Sequence, residues 1–233
     1  MTEPRFIAWP DAGTMAEALA ERIASGLRAA LADAPMAGLV VSGGSTPKAL
    51  FARLSGHELP WERVAITLAD ERVVAPDHPA SNERLVRETL LRGPAARARF
   101  LSLSGTPDEV EARLADFPWP AAFTLLGMGN DGHSASLFPG SDILADALDP
   151  GTECRVVRLV PGRLPADAPY SRMTLTLPAL IDSRAILILL EGDAKKATWE
   201  KVRSPGPLAD MPIRAVIASA GCPVEANWSP GRT

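Results

Sequence analysis

Two residues suited to proton transfer stand in the glycine-rich segment Gly127-Met128-Gly129-Asn130-Asp131-Gly132-His133. A histidine imidazole titrates at about 6.5, so at neutral pH it can accept a proton from water. His133 follows Asp131 by two positions, and a carboxylate at that spacing can orient the ring or favour its protonated form. A lone histidine more often has a structural role, but the neighbouring carboxylate and glycines favour His133 as a general base.

The same glycines, Gly127, Gly129 and Gly132, spell GxGxxG after an apolar run, a pattern found in dinucleotide-binding proteins. Two observations argue against that function. The segment Leu137-Phe138-Pro139-Gly140 breaks the helix that should follow, and no acidic residue ends a clear strand about 20 positions later. We therefore interpret the glycines as shaping a loop that aims Asp131 and His133.

A second cluster, Ser42-Gly43-Gly44-Ser45-Thr46-Pro47, lies between a predicted strand and a predicted helix. Gly43 and Gly44 let the backbone approach an anion, and a helix start offers unpaired N–H groups. Ser45 and Thr46 add hydroxyl donors. The spacing of a Walker loop is absent, so a phosphate monoester is the expected ligand. The alternative is a tight turn with a helix cap.

Charged residues follow or border other predicted strands. Asp70-Glu71-Arg72 places three charges at a strand end, where Arg72 could stabilise an oxyanion or orient a carboxylate. The alternative is an exposed loop with a local ion pair. Arg172 and Lys195 could together bind a phosphate, the first through its guanidinium fork and the second as a point charge. Lys196 would point about 100° away from Lys195 on a helix.

Apolar runs of strand length alternate with helical patterns along the chain. Such alternation predicts an α/β fold with a mostly parallel sheet covered on both faces, in one domain spanning residues 1–233. In such sheets ligands bind at the carboxyl ends of strands, where the polar clusters above lie. The predicted strands are Arg5–Trp9, Gly38–Val41, Val64–Leu68, Phe100–Leu103, Ala122–Leu126, Val156–Val160, Met173–Leu177, Ala185–Leu190 and Ala215–Ala218. The predicted helices are Ala12–Ala34, Pro47–Leu54, Ser81–Leu91, Pro107–Phe117 and Ala194–Val202.

The composition narrows the functional class. The 233 residues are 46% hydrophobic and 22% charged, with a net charge of −4, which is unlike a nucleic-acid-binding protein. No apolar run approaches the roughly 20 residues that span a bilayer, and we expect no membrane segment and no secretory signal. The two cysteines predict buried free thiols, and with three histidines they show no zinc-ligand spacing.

Taken in chain order, these clusters resemble the 6-phosphogluconolactonase family, which is grouped with the glucosamine-6-phosphate deaminases. The resemblance rests on the segments Ser42-Gly43-Gly44-Ser45-Thr46-Pro47, Asp70-Glu71-Arg72, Ser81-Asn82, Gly127–His133 and Ser136-Leu137-Phe138-Pro139, and it extends from about residue 6 to about residue 219. The deaminase branch continues its histidine loop with an Ala-Phe-Asn-Glu-Pro type sequence. This chain has Ala135-Ser136-Leu137-Phe138-Pro139 and lacks that glutamate.

The resemblance implies a three-layer α/β/α sandwich with a mostly parallel, Rossmann-like sheet, and hydrolysis of 6-phospho-D-glucono-1,5-lactone in the oxidative pentose phosphate pathway. It also implies no metal and no organic cofactor. His133 would activate water with the help of Asp131, and Arg72 or backbone N–H groups would stabilise the oxyanion. The remaining residues would bind substrate. The phosphate would lie on Gly44, Ser45, Thr46, Arg172 and Lys195, with Gly43 also in the binding site. Asp70 and Asn82 would contact sugar hydroxyls or brace the site.

Two other functions compete with this one. An amino-sugar phosphate deaminase or a phosphosugar isomerase could use the same fold, but the missing glutamate argues against the deaminase. A sugar-phosphate sensor would usually carry a DNA-binding helix-turn-helix, whereas the predicted first strand begins at Arg5. We expect a cytoplasmic enzyme that acts on a small sugar phosphate lactone, without nucleic acid or membrane, as a monomer or small homo-oligomer.

Overall fold

Seven parallel strands form the central sheet in the computed structural model, which describes residues 3–159 and 170–231. Their order across the sheet is β1-β10-β9-β6-β2-β3-β5. The strands are β1 (Arg5–Ala8), β2 (Ala37–Val41), β3 (Val64–Leu68), β5 (Arg99–Leu101), β6 (Phe123–Gly127), β9 (Ile186–Glu191) and β10 (Val224–Ser229). Every residue of β2 and β3 is buried, as expected for strands covered on both faces.

Helices flank this sheet, which confirms the predicted α/β class. They are α1 (Ala12–Asp33), α2 (Lys48–Leu54), α3 (Asn82–Thr89), α4 (Pro107–Leu114), α5 (Leu144–Leu148), α6 (Leu177–Ile181), α7 (Asp193–Arg203) and α8 (Ile213–Ser219). The longest, α1, buries a stripe at the spacing read from the sequence, including Met15, Leu19, Ile23 and Leu27. No helix among the described residues is both long and apolar enough to cross a membrane.

A smaller antiparallel sheet lies beside the main one and contains β4 (Asp70–Arg72), β7 (Val156–Leu159) and β8 (Arg172–Leu175). The chain passes from one sheet to the other at Ala69, whose N–H donates to Val41 and whose carbonyl accepts from Leu175. The exposed-loop interpretation of residues 70–72 is therefore wrong, since Asp70 and Glu71 are buried strand residues.

One predicted strand is a helix. Ala215–Ala218 lies within α8, and a short apolar run cannot by itself distinguish a buried helix from a strand. The true last strand, β10, was missed because it carries the buried polar residues Glu225 and Asn227. The buried-thiol prediction is also wrong, because Cys154 is exposed and Cys222 is half-buried. Val160, the last residue of the predicted strand Val156–Val160, lies outside the described residues.

Candidate active site

A cavity of about 450 Å³ opens at the carboxyl ends of β2, β6 and β9. The chain runs from β2 outward through β3 and β5 and then returns to β6 on the other side of β2, so this is the point where the strand order reverses. All predicted site residues except Asp131 line the cavity: Gly43, Gly44, Ser45, Thr46, Asp70, Arg72, Asn82, His133, Arg172 and Lys195. Asp131 contacts the cavity through His133.

His133 and Asp131 form a hydrogen-bonded pair. The imidazole Nδ1 lies 2.6 Å from Oδ1 of Asp131, and the backbone N–H of His133 donates to the same oxygen at 3.2 Å. When Nδ1 carries the proton of a neutral ring, Nε2 is the acceptor. Within the described residues Nε2 has no hydrogen-bond partner. The pair can therefore accept a proton from a molecule in the cavity.

The carboxylate of this pair is held in its ionised form. Partial burial raises the pKa of Asp131, but the hydrogen bond and charge of His133 outweigh it and lower the pKa to about 2. Asp131 consequently remains negative throughout the range in which imidazoles titrate, roughly pH 5 to 8. It can stabilise an imidazolium at His133 whenever one forms.

The glycines of the loop make this pair possible. A Cβ on Gly129 would lie 2.1 Å from Nδ1 of His133 and 2.4 Å from Oδ1 of Asp131, so no other residue fits there. Gly132 has a φ of +79°, in the left-handed region. The ring of Phe138 packs on the imidazole with 4.5 Å between centroids. These contacts fix the direction of the His133 ring.

The loop after β2 presents unpaired donors to the same cavity. Within the described residues, the backbone N–H groups of Gly43, Gly44, Ser45 and Thr46 have no hydrogen-bond acceptor. Gly44 reaches this conformation with a φ of +94°. Gly43 and Thr46 are half-buried, whereas Gly44 and Ser45 are exposed. An anion placed among these N–H groups would accept several hydrogen bonds at once. The loop can therefore bind a phosphate.

Two cationic side chains reach the cavity from other elements. Arg172 of β8 is buried and donates to the carbonyl of Tyr170 at 2.7 Å. Lys195 stands in the first turn of α7, and partial burial lowers its pKa while the charge of Asp131 opposes that shift. Lys196 is directed elsewhere, since its Nζ lies 4.8 Å from the centre of the Trp228 ring. Of the two lysines, Lys195 is the one that lines the cavity.

Another wall of the cavity consists of hydrogen-bonded side chains from β4 and α3. Asp70 accepts from the Ser136 hydroxyl at 2.5 Å, and its carbonyl accepts from Asn82 Nδ2 at 2.8 Å. Nη1 of Arg72 donates to Asn82 Oδ1 at 2.9 Å and to the Ala80 carbonyl at 2.6 Å. Its Nε and Nη2 have no acceptor in the described part of the chain, so they can meet a developing negative charge in the cavity.

Sequence reasoning missed several residues of this site. Ser136 joins the histidine loop to Asp70, Phe138 packs on His133, and Glu191 lines the cavity at the end of β9. Glu71 is buried, and burial raises its pKa while its hydrogen bonds act in the opposite direction. Ser136 and Phe138 lie within five residues of His133 in the sequence, and this proximity was the signal that could have identified them as site residues.

Residues 3–159 and 170–231 contain no cluster of three or more potential metal ligands.

Comparison with known proteins gives one consistent family. The family described as "Glucosamine-6-phosphate isomerases/6-phosphogluconolactonase" matches residues 10–224. A 6-phosphogluconolactonase of Mesorhizobium japonicum is 43% identical over 230 residues, covering 96% of this chain and 94% of its own. One from Rhizobium meliloti is 41% identical over 223 residues, covering 93% and 94%.

Solved structures agree with this match. The crystal structure of a 6-phosphogluconolactonase from Shewanella baltica is 40% identical, covers 98% of both chains and superposes with a TM-score of 0.92. A monomeric glucosamine-6-phosphate deaminase, 18% identical with a TM-score of 0.73 over 97% of both chains, shares the fold.

Proposed function

Because this chain belongs to the glucosamine-6-phosphate isomerase/6-phosphogluconolactonase family, we propose that it hydrolyses 6-phospho-D-glucono-1,5-lactone to 6-phosphogluconate in the oxidative pentose phosphate pathway. The observation that carries this proposal is the shared cavity. It combines the His133–Asp131 pair with a loop of unpaired N–H groups and the cations Arg172 and Lys195. Enzymatic hydrolysis of a lactone that bears a phosphate needs a general base and a phosphate-binding site in the same cavity.

In the proposed first step, water attacks the lactone carbonyl while Nε2 of His133 takes its proton. Such general-base assistance is typically worth about 10²–10⁴-fold in rate. Asp131, ionised beside Nδ1, stabilises the imidazolium that results. The negative charge that forms on the carbonyl oxygen is stabilised by Arg72 or by backbone N–H groups of the cavity.

In the second step, the tetrahedral intermediate collapses and the bond to the ring oxygen breaks. The imidazolium of His133 returns its proton to that oxygen, which becomes the C5 hydroxyl, and the acyl carbon becomes the carboxyl group of the product. Water is the sole co-reactant, so the reaction balances without a cofactor. We propose that neither a metal nor an organic cofactor takes part.

The phosphate contributes by orienting the lactone. Gly43, Gly44, Ser45 and Thr46 would donate to it through their N–H groups, and Arg172 and Lys195 would neutralise its charge. Asp70 and Asn82 would contact the sugar hydroxyls or brace the site through their hydrogen bonds to Ser136 and Arg72. Binding energy from a remote group can hold the reacting carbonyl against His133 and so lower the barrier of the chemical step.

We further propose that residues 1–233 form one catalytic domain that works in the cytoplasm, as a monomer or small homo-oligomer, without nucleic acid. The family and the net charge of −4 support this.

The test of the proposed function is lactone hydrolysis by the wild-type protein, with the substrate generated in situ and EDTA present. The lactone opens spontaneously, so the expected result is an acceleration proportional to protein concentration. Folded protein that gives no acceleration but releases ammonia from glucosamine 6-phosphate would overturn the lactonase proposal in favour of a deaminase.

A further inference from the structure

Glu71 lies outside the cavity, yet its carboxylate binds the backbone of one cavity wall. Its side chain is buried, with 2% of the residue exposed. Oε1 accepts from the N–H groups of Arg72 at 2.6 Å and Asn82 at 2.8 Å. Oε2 accepts from the N–H of Glu83 at 2.7 Å and the hydroxyl of Ser81 at 2.9 Å. One carboxylate therefore ties β4 to the first turn of α3.

Asn82 carries this connection into the cavity. Its Nδ2 donates to the Asp70 carbonyl at 2.8 Å, and its Oδ1 accepts from Arg72 at 2.9 Å. A Cβ on Gly43 would lie 1.9 Å from that Oδ1, so the anion-binding loop packs directly on the amide. A displacement of the Asn82 backbone would move Asp70, Arg72 and Gly43 together.

The chemistry of the contact requires a carboxylate. Within the described residues no cationic side chain pairs with Glu71, and its two carboxyl oxygens accept from three backbone N–H groups and one hydroxyl. A glutamine has one acceptor oxygen and an NH2 group that cannot accept a hydrogen bond. The NH2 group of a glutamine at position 71 would therefore face two of these four donors, and neither would have an acceptor.

We propose that Glu71 is a positioning residue for the substrate cavity, acting through Asn82 and Arg72. Its kinetic consequence rests on the proposed lactonase function. A residue that only stabilises the fold would change the fraction of active protein and leave KM unaltered. A positioning residue would change KM, because Asn82 and Arg72 would no longer meet the substrate in the same place.

The experiment compares Glu71→Gln with Glu83→Gln. Glu83 is the matched control because it is also buried and lies in the same helix turn, but its carboxylate pairs with Arg87 and accepts from Ser102, away from the cavity. We expect Glu71→Gln to raise KM and lower kcat so that kcat/KM falls about 10- to 100-fold, as small misplacements do. Glu83→Gln should lower Tm with KM within about twofold of wild type.

A second variant covers the case in which Glu71→Gln does not fold. Glu71→Asp retains the charge but is one methylene shorter, so it cannot reach all four donors, and a smaller rise in KM is expected. The proposal is overturned if the folded variants at position 71 keep KM within about twofold of wild type. It is equally overturned if Glu83→Gln raises KM as much as Glu71→Gln.

Amide hydrogen exchange separates this inference from the proposed function, because it needs no substrate. Exchange at Arg72 and Asn82 should be at least about tenfold faster in Glu71→Gln, or in Glu71→Asp, than in Glu83→Gln. If the wild-type protein shows no lactonase activity but exchange is faster in the variants at position 71, the proposed function is overturned and the positioning role stands. Unchanged exchange would overturn the positioning role alone.

Discussion

The Nδ1 atom of His133 lies 2.6 Å from Oδ1 of Asp131, and the contact closes directly over the bare Cα of Gly129. The pair and the glycine are therefore one unit, since a methyl group at position 129 would occupy the space of both side chains. This relationship predicts the effect of a substitution at Gly129.

Gly129→Ala should separate the pair and lower kcat by about 10²-fold or more, because a Cβ there would sit 2.1 Å from the imidazole and misplace the base. Gly221→Ala is the control, since a Cβ at that position meets no atom within 4 Å. Both would be assayed for lactone hydrolysis at equal folded concentration. Equal kcat in the two variants would contradict the account of the loop.

Lys195→Ala should raise KM about 10- to 100-fold with a smaller effect on kcat, as expected for the loss of a charged contact worth about 1.5–3 kcal/mol. Lys196→Ala is the matched control, because the neighbouring side chain packs on Trp228 instead of the cavity. The measurement is the dependence of initial rate on lactone concentration. A larger rise in KM for Lys196→Ala than for Lys195→Ala would show that Lys196, and not Lys195, binds the phosphate.

The pH profile of kcat/KM should fall on the acid side through roughly pH 5 to 8, the range where imidazoles titrate. Asp131, whose pKa is lowered to about 2, does not titrate in this range. The substrate phosphate has a second pKa of about 6, so the profile is compared with that of His133→Ala, which should lack the contribution of the imidazole. Rates would be corrected for spontaneous opening at each pH. A flat profile across this range would show that no imidazole is required in its neutral form.

Asp131 should also leave a signature in stability. Its folded pKa of about 2 lies below the ordinary 3.8, so its contribution is present above pH 3.8 and is lost as pH falls toward 2. The difference in unfolding free energy between wild type and Asp131→Asn should therefore be largest above pH 4 and shrink below it. Urea titrations at several pH values measure this. A difference that grows on acidification would have the wrong sign.

Much of the fold could be predicted from sequence because the parallel strands are continuous apolar runs. β10 could not, because Glu225 and Asn227 make it look polar. Their partners lie far away in sequence: Arg22 pairs with Glu225, and Trp9 donates to Asn227 at 3.1 Å. A strand whose polar groups are satisfied by distant residues has no local pattern to reveal it.

The site divides in the same way. The loops that carry His133 and Gly44 can be predicted from the sequence, because they are rich in glycine and follow predicted strands. Glu71 and Ser136 do not, because their value depends on contacts across the fold, such as the 2.5 Å hydrogen bond from Ser136 to Asp70. Sequence indicates which residues can do chemistry, and the structure is needed to identify those that hold them in place.

The most direct test is the kcat of His133→Ala on 6-phosphogluconolactone, measured against spontaneous opening. His57→Ala serves as the control, since that side chain lies beside Glu21 and does not line the cavity. We predict that His133→Ala lowers kcat about 10²–10⁴-fold with KM within about threefold of wild type, while His57→Ala has no effect. A His133→Ala enzyme that retains near-full kcat would contradict the assignment of His133 as the base.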